Sequence, residues 1–162
     1  MEKLKIVVLE SPYDCWNNPY VGSLLKDFIG VKLRGYGKEY PYGVLPIDGA
    51  DLISTHLAVC RILDNGDLRP IMAIRWTSLK KSRLHYISYP GLNLLQQAGA
   101  SIHVQALEKI IAEADQHNVD LFYSGGLSID PLERTTKDQS LMLRELLTMM
   151  YVNYQKETNY SE

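Results

Sequence analysis

A chain of 162 residues has room for one domain with a real core and not for two. Its 46% hydrophobic and 22% charged residues are an ordinary globular mix, which excludes a disordered chain. With 17 basic and 19 acidic residues the net charge is −2, so no general nucleic-acid surface follows. No run approaches the roughly 20 apolar residues of a membrane span. Cys15 and Cys60 are far apart and lack a CxxC, which argues against a disulfide framework or a zinc site, and no metal is expected. The opening "MEKLKIVVLE" is too short an apolar stretch for a signal peptide, so the expected location is the cytoplasm.

"KLKIVVLE" predicts a β-branched, buried strand closed by "SPYD". A helix follows, with Asn18 as N-cap, Pro19 in its first position, Gly35 at its end, and Leu24, Leu25, Phe28 and Ile29 as its apolar stripe. "GYGKEYPYGVLP" reads as an irregular loop whose three tyrosines wedge it against the body. "DLISTHLAVCRIL" and "LRPIMAIRWTSL" flank "DNGD", a strong hairpin signal. With Asn65 and Gly66 as the turn residues, Leu57 pairs with Ile74 and Val59 with Met72. Together with Ile53 and Trp76 these make one apolar face. The other face carries His56 across from Arg75, Ser54 across from Thr77, and Ala58 across from Ala73. Polar groups beside small residues leave room there for something to lie against the sheet. A bulge or a longer turn would shift this register by one.

Lys80, Lys81 and Arg83 read as a solvated basic loop. The next helix spans "SIHVQALEKIIAEADQH", with Ser101 as its cap and Leu107, Ile110, Ile111 and Ala114 on one side. "VDLFYSGGLSI" predicts a third internal strand, in which Gly125 and Gly126 mark a bulge or a close backbone approach. "KDQSLMLRELLTMMYVNYQ" predicts a final helix capped by Asp138. Leu141, Leu146, Met149, Met150 and Val152 make it apolar on several sides, so another chain or further sequence is expected to cover it.

The fold class is therefore α/β (α+β), a mixed, mostly antiparallel sheet with flanking helices. In this order of elements the chain resembles the GNAT acyltransferase superfamily. The match rests on a central hairpin, a further strand, a short turn and a buried helix, with "SIDPLER" fitting the family's V/I-x-P-x-x-R through Ile129, Pro131 and Arg134. Lys32, Arg34, the tyrosine-rich loop, and Asp48 and Asp51 ahead of the hairpin look like the branch holding autoinducer synthases and long-chain N-acyl amino acid synthases.

That resemblance implies an acyl thioester co-substrate, carried by coenzyme A or an acyl carrier protein, and an amine acceptor. The pantetheine arm would lie along Gly125, Ser128 and Ile129, and the phosphates at the following helix N-terminus. Lys137 and Gln139 stand where the family has glycines, so Arg134 and Lys137 would supply charge instead. His56 would be the base, with Arg75 opposite it, and Tyr123 and Ser124 would flank a strand N–H that stabilises the oxyanion. Asp48 and Asp51 would hold the acceptor's ammonium. The resemblance also implies further layers after the last helix, from more sequence or another subunit. Ser124 and Ser128 lack a histidine partner by spacing, which argues against a serine hydrolase. Two readings compete with the transferase. One is a non-catalytic binding or assembly domain on the same scaffold, and the other is a nucleotide-linked enzyme using the Gly125–Gly126 turn.

Overall fold

The computed structural model describes residues 3–40, 47–134 and 136–159. Strand β1 (Leu4–Glu10) leads to helix α1 (Pro19–Glu39) and a single turn α2 (Ala50–Ile53). The hairpin β2 (Thr55–Ile62) and β3 (Leu68–Ser78) follows, then α3 (Leu79–Leu84), α4 (Pro90–Gln97) and α5 (Ser101–Gln116). Strand β4 (Phe122–Ile129), a 3-10 turn at Pro131–Glu133 and α6 (Lys137–Asn159) are the last of the described elements. The four strands form one sheet in the order β1-β2-β3-β4, and every pairing is antiparallel. The expected fold class is the one observed. β4 is an edge strand of the described sheet rather than an internal one.

Asn18 caps α1 as expected, its Oδ1 accepting from the Tyr20 N–H at 3.0 Å, with Pro19 next in line. The helix does not stop at Gly35, however. It runs on to Glu39, taking Tyr36 out of the expected loop. Gly35 serves close approach instead of chain reversal: a Cβ there would lie 3.3 Å from the Ile129 carbonyl and from Arg134 Nη2. Tyr40 ends the helix, and Tyr42 lies outside the described residues. The expected caps of two later helices also move by a residue or more. α5 starts on Ser101 with Ala100 as its cap, and α6 starts at Lys137, one residue before Asp138.

The hairpin register around His56 is the expected one, with His56 paired to Arg75 and Leu57 to Ile74, but by another route. Leu63 N–H donates to Asp67 O, so the connection has three residues, with Gly66 left-handed at φ +86°. That longer turn shifts the register by one. A bulge at Ile71, between the Val59–Met72 and Cys60–Pro70 pairs, shifts it back. The two irregularities cancel, and they put Ile71 and Met72 together in the core.

That core, on one face of the sheet, joins Leu57, Val59, Ile71, Met72, Trp76 and Ile129 to Leu147 of α6. Trp76 meets Tyr151 and Tyr154 at ring distances of 5.1 and 5.2 Å. On the other face α1 lays Val21, Leu25 and Phe28 over Leu9, Ala58, Cys60 and Ala73. The room expected beside the two alanines is filled by the protein's own helix.

Helices α3 to α5, inserted between β3 and β4, sit at the sheet end where Ser78 leaves it. Ser78 Oγ accepts from Lys81 N–H and donates to Asp120 at 2.5 Å. The expected basic loop is the helix α3, whose Lys81 pairs with Asp14 and whose Arg83 grips Asp115 at the surface. α5 is amphipathic but scarcely covered: only Ala114 is buried, and Ile102 is 78% exposed. The apolar side expected at Ile110 remains open. On α6, Leu146 and Met150 pack against the core, while Leu141, Met149 and Val152 are exposed.

Candidate functional site

Most of the candidate residues converge on the α1 face of the sheet, beside β4. Lys32 from α1 and Arg75 from β3 both point at Asp51, and each places a donor 2.6 Å from its Oδ1. Arg75 also grips Asp48 in a two-pronged bond, 2.8 Å on each side. Asp48 precedes the Gly49 cap of α2, its Oδ1 accepts from Ala50 N–H, and its own N–H donates to Asp51 Oδ2. Two cations and two carboxylates balance in one knot that is buried except at Asp48. Burial pushes the Lys32 ammonium down, an effect that Asp51 opposes. For Asp48, burial acts upward, but its bonds with Arg75 win and hold the carboxyl below its usual range. Burial alone would lower Arg75, yet the same partners raise it.

His56 lies beneath this knot, 1% exposed, with Nε2 2.7 Å from the Asp51 carbonyl oxygen. A carbonyl only accepts, so Nε2 carries the proton and donates it. Burial, above all, pulls the imidazole pKa to about 4, with Lys32 and Arg75 adding to the effect. A neutral, enclosed ring bonded to the α2 backbone positions Asp51; an incoming amine has no path to it. Asp51 is likewise internal, and of the two acidic candidates Asp48 alone has exposed surface.

β4 brings the glycines over the knot. Arg75 pairs with Gly125 and Ala73 with Ser128, so Gly126 and Leu127 together stand opposite Ile74. This is the bulge expected from the paired glycines, with Gly126 left-handed at φ +66°. A Cβ on Gly126 would lie 3.2 Å from Lys32 Cε and 3.6 Å from Arg75 Cγ. Before the bulge, odd-numbered residues face α1; after it, even-numbered ones do. The switch sends Leu127 and Ile129 to the α6-side core and turns Ser128 toward α1, its hydroxyl donating to Gly126 O.

Tyr123 lies along Gly125, where an added Cβ would meet its ring at 2.7 Å, and it stacks edge-on with Tyr89. Tyr36 of α1 joins this wall. Burial raises its hydroxyl pKa, and Tyr123 is close enough to add to the shift. Ser124, by contrast, pairs with Trp76 and projects to the other face, where its Oγ donates to Tyr151 Oη at 2.6 Å. The sheet separates it from the other candidates.

At the end of β4, Arg134 is already committed: Nε donates to Ile129 O at 3.0 Å and Nη1 pairs with Glu39. A 290 Å³ cavity opens here between α1, β4 and α6, walled by Tyr36, Leu127 and Ile129 and rimmed by Glu39, Arg134 and Arg144. Arg144 forms no ion pair among the described residues. Lys137 is exposed at the first position of α6, and Gln139 follows in its first turn, its side chain outside the described residues. Lys32 and Tyr36 were not sequence candidates for catalysis. A lysine one turn before a tyrosine on a helix otherwise apolar toward the sheet was the available signal.

Among the described residues no group of three His, Cys, Asp or Glu side chains is arranged to hold a metal ion, and no helix is long and apolar enough to cross a membrane. No protein-family model, curated protein or solved structure matches the chain. The fold and site define an antiparallel α/β sheet protein with a neutralised charge knot under a glycine bulge.

Proposed function

We propose that the chain is a GNAT-like N-acyltransferase that binds an acyl thioester along β4 and passes the acyl group to an amine. The bulge at Gly126–Leu127 carries this reading. A bulge withdraws backbone N–H groups from the ladder, and this one does so over Lys32 and Arg75, whose charges Asp51 and Asp48 already balance, in a mostly dry setting. A carbonyl oxygen placed there would be polarised as it takes on charge. The cavity at the strand end, walled by Tyr36, Leu127 and Ile129 and left with one net positive charge at its rim once Glu39 is set against Arg134 and Arg144, suits the phosphate end of the carrier. Its 290 Å³ takes a headgroup and not a whole cofactor. In the transfer, the amine nitrogen bonds to the thioester carbon, the carbon–sulfur bond breaks, and the amine's proton leaves to solvent. The thiolate is protonated from the Tyr36 or Tyr123 hydroxyl, which takes its proton back from solvent. Asp48 is the carboxylate placed to receive an ammonium, and His56 holds the neighbouring Asp51 through its backbone carbonyl. A soluble cytoplasmic protein suits such a substrate pair.

The test is calorimetric titration of acetyl and dodecanoyl coenzyme A into wild type, Arg134→Ala and Arg144→Ala. Each lost charge-assisted contact is expected to cost about 1–3 kcal/mol, and binding should weaken with added salt. Absence of binding by the folded wild type overturns the transferase reading.

A second reading, an assembly domain, is favoured by uncovered apolar surface. Leu4, Ile6 and Val8 on the edge strand β1, Ile102 and Ile110 on α5, and Met149 and Val152 on α6 are all exposed. Light scattering on wild type and Met149→Glu/Val152→Glu distinguishes it. An oligomer dissolved by those exposed substitutions supports it, and a monomer in both rejects it.

A further inference from the structure

The flank of α1 turned away from the charge knot borders a second, larger opening. A groove of about 1090 Å³ runs between α1 and the open end of the β2–β3 hairpin. Four leucines line it: Leu24 on α1, Leu63 and Leu68 on the hairpin, and Leu132 on the 3-10 turn. Leu63 and Leu132 are exposed, and Leu24 and Leu68 are only partly covered by the core beneath. From Tyr20 to Arg34 the helix borders it over about 21 Å, the length of fourteen helical steps.

One end of the groove is cationic. Arg34 and Arg69 both turn to the same oxygen of Asp130, Oδ2, at 2.9 and 3.4 Å. Asp130 is fully buried, and its other oxygen is taken by Leu132 N–H at 3.0 Å. Burial alone would raise its carboxyl, but Leu132 N–H and then Arg34 hold it below its usual range, so it stays an anion. Two guanidinium charges thus meet one carboxylate, leaving about one positive charge and most of ten N–H donors uncommitted. Arg34 spends Nε and Nη2 on Asp130, and its Nη1 lies over α1 at Gly30, where a Cβ would come within 3.1 Å. A glycine in mid-helix is unfavourable by about 0.5–1 kcal/mol relative to alanine, and here it makes the space in which the guanidinium lies along the groove. The other charged lining groups are Lys26 and Asp27, which offset each other, and Asp67, bonded to Asn65 at the hairpin tip.

We infer that this groove binds an amphiphilic carboxylate, its head on Arg34 and Arg69 and its alkyl chain along Leu24, Leu63 and Leu68. The surplus positive charge of the arginine pair, local to that end because Asp67 balances it over the groove as a whole, matches a monoanionic head, and a planar carboxylate matches the guanidinium fork. The leucines supply the free energy that an exposed ion pair lacks. The inference is independent of acyl transfer at β4, since it uses none of the same side chains.

The probe is decanoate, titrated into ¹⁵N-labelled protein below its micelle concentration, with acetate and decanol as head-only and tail-only controls. Saturable binding is expected for decanoate, at least tenfold tighter than for acetate or decanol. Amide shifts should centre on Gly30, Gly66 and Leu68 and spare Gly125 and Gly126. Arg34→Gln/Arg69→Gln should weaken decanoate at least tenfold while retaining a dispersed spectrum. Leu63→Ser, which leaves the bonds of both arginines to Asp130 in place, should weaken it several-fold. Absence of decanoate binding, decanol binding equally well, or shifts centred on Gly125 and Gly126 would each overturn the inference. Loss of thioester binding at β4 with decanoate binding intact would overturn only the transferase reading.

Discussion

Replacing Gly126 by alanine tests the link between the β4 bulge and the charge knot. Gly126 has φ +66°, a region costing an L-residue about 1–2 kcal/mol. The new methyl would also sit 3.2 Å from Lys32 Cε and 3.7 Å from Lys32 Nζ. Lys32 is a flexible side chain, but its far end is pinned to Asp51 at 2.6 Å, so it yields only by stretching that pair. Losing a buried pair outright costs about 3–5 kcal/mol, which sets the ceiling. Alanine also restricts the unfolded chain, returning about 0.4–1 kcal/mol. The expected loss is about 1–3 kcal/mol. A urea titration reads it as a fall in midpoint of roughly 1 M, for a typical slope of about 1–3 kcal/mol per M. The slope itself should hold steady. Gly37→Ala is the control: helical, exposed, with nothing within 4 Å of the new methyl, it should stabilise by about 0.5–1 kcal/mol. If Gly126→Ala matched wild type or tracked Gly37→Ala, the close packing of bulge on knot would be refuted.

Three further outcomes are expected. Because the His56 pKa is lowered from 6.5 to about 4, the unfolded chain binds its proton first as pH falls. Its stabilisation is therefore full above pH 6.5 and is lost as pH falls through 4, at up to about 1.4 kcal/mol per unit, and His56→Gln should flatten that part of a pH series of urea midpoints. Lys32→Met should destabilise by about 3 kcal/mol, the low end for a broken buried pair because Arg75 still faces Asp51. Adding Asp51→Asn should recover part of that loss, whereas strict additivity in the double-mutant cycle would deny the coupling. Leu147→Ala, at a leucine that is fully buried among the described residues of α6, should cost about 2–5 kcal/mol by thermal melt. Met149→Ala on the open side should stay within about 0.5 kcal/mol, and equal losses would show α6 covered on both sides.

The sequence by itself determined what local chemistry and strand alternation control. Asn18 and Pro19 set the start of α1, since capping acts within one turn. Alternation in β2 and β3 sorted Leu57, Val59, Met72 and Trp76 onto one face, because a slip would have buried the wrong side chains, whereas the pairing of His56 with Arg75 was counted from the Asn65–Gly66 turn. Gly125 and Gly126 marked the bulge through the backbone freedom they alone provide.

Tertiary structure decided matters that need two distant segments at once. Gly35 was legible as a helix end, yet contact with Arg134 and Ile129 made it a packing glycine inside α1. The residue count from Asn65 could not reveal a three-residue turn and a bulge at Ile71 that offset each other, since each is stable only with its partner strand in place. His56 had the residue type of a base, but its burial and its bond to the Asp51 carbonyl set its proton affinity. Arg134 had the motif of a phosphate ligand, and Glu39, 95 residues earlier, engaged it. Ser124 fell on the far face because strand parity is fixed by pairing with Trp76, and pairing is long-range. Asp130, read only as part of a turn, became the shared anchor of Arg34 and Arg69, which sequence places 96 and 61 residues away. Electrostatic roles follow from neighbours and burial, and both are set by the folded chain.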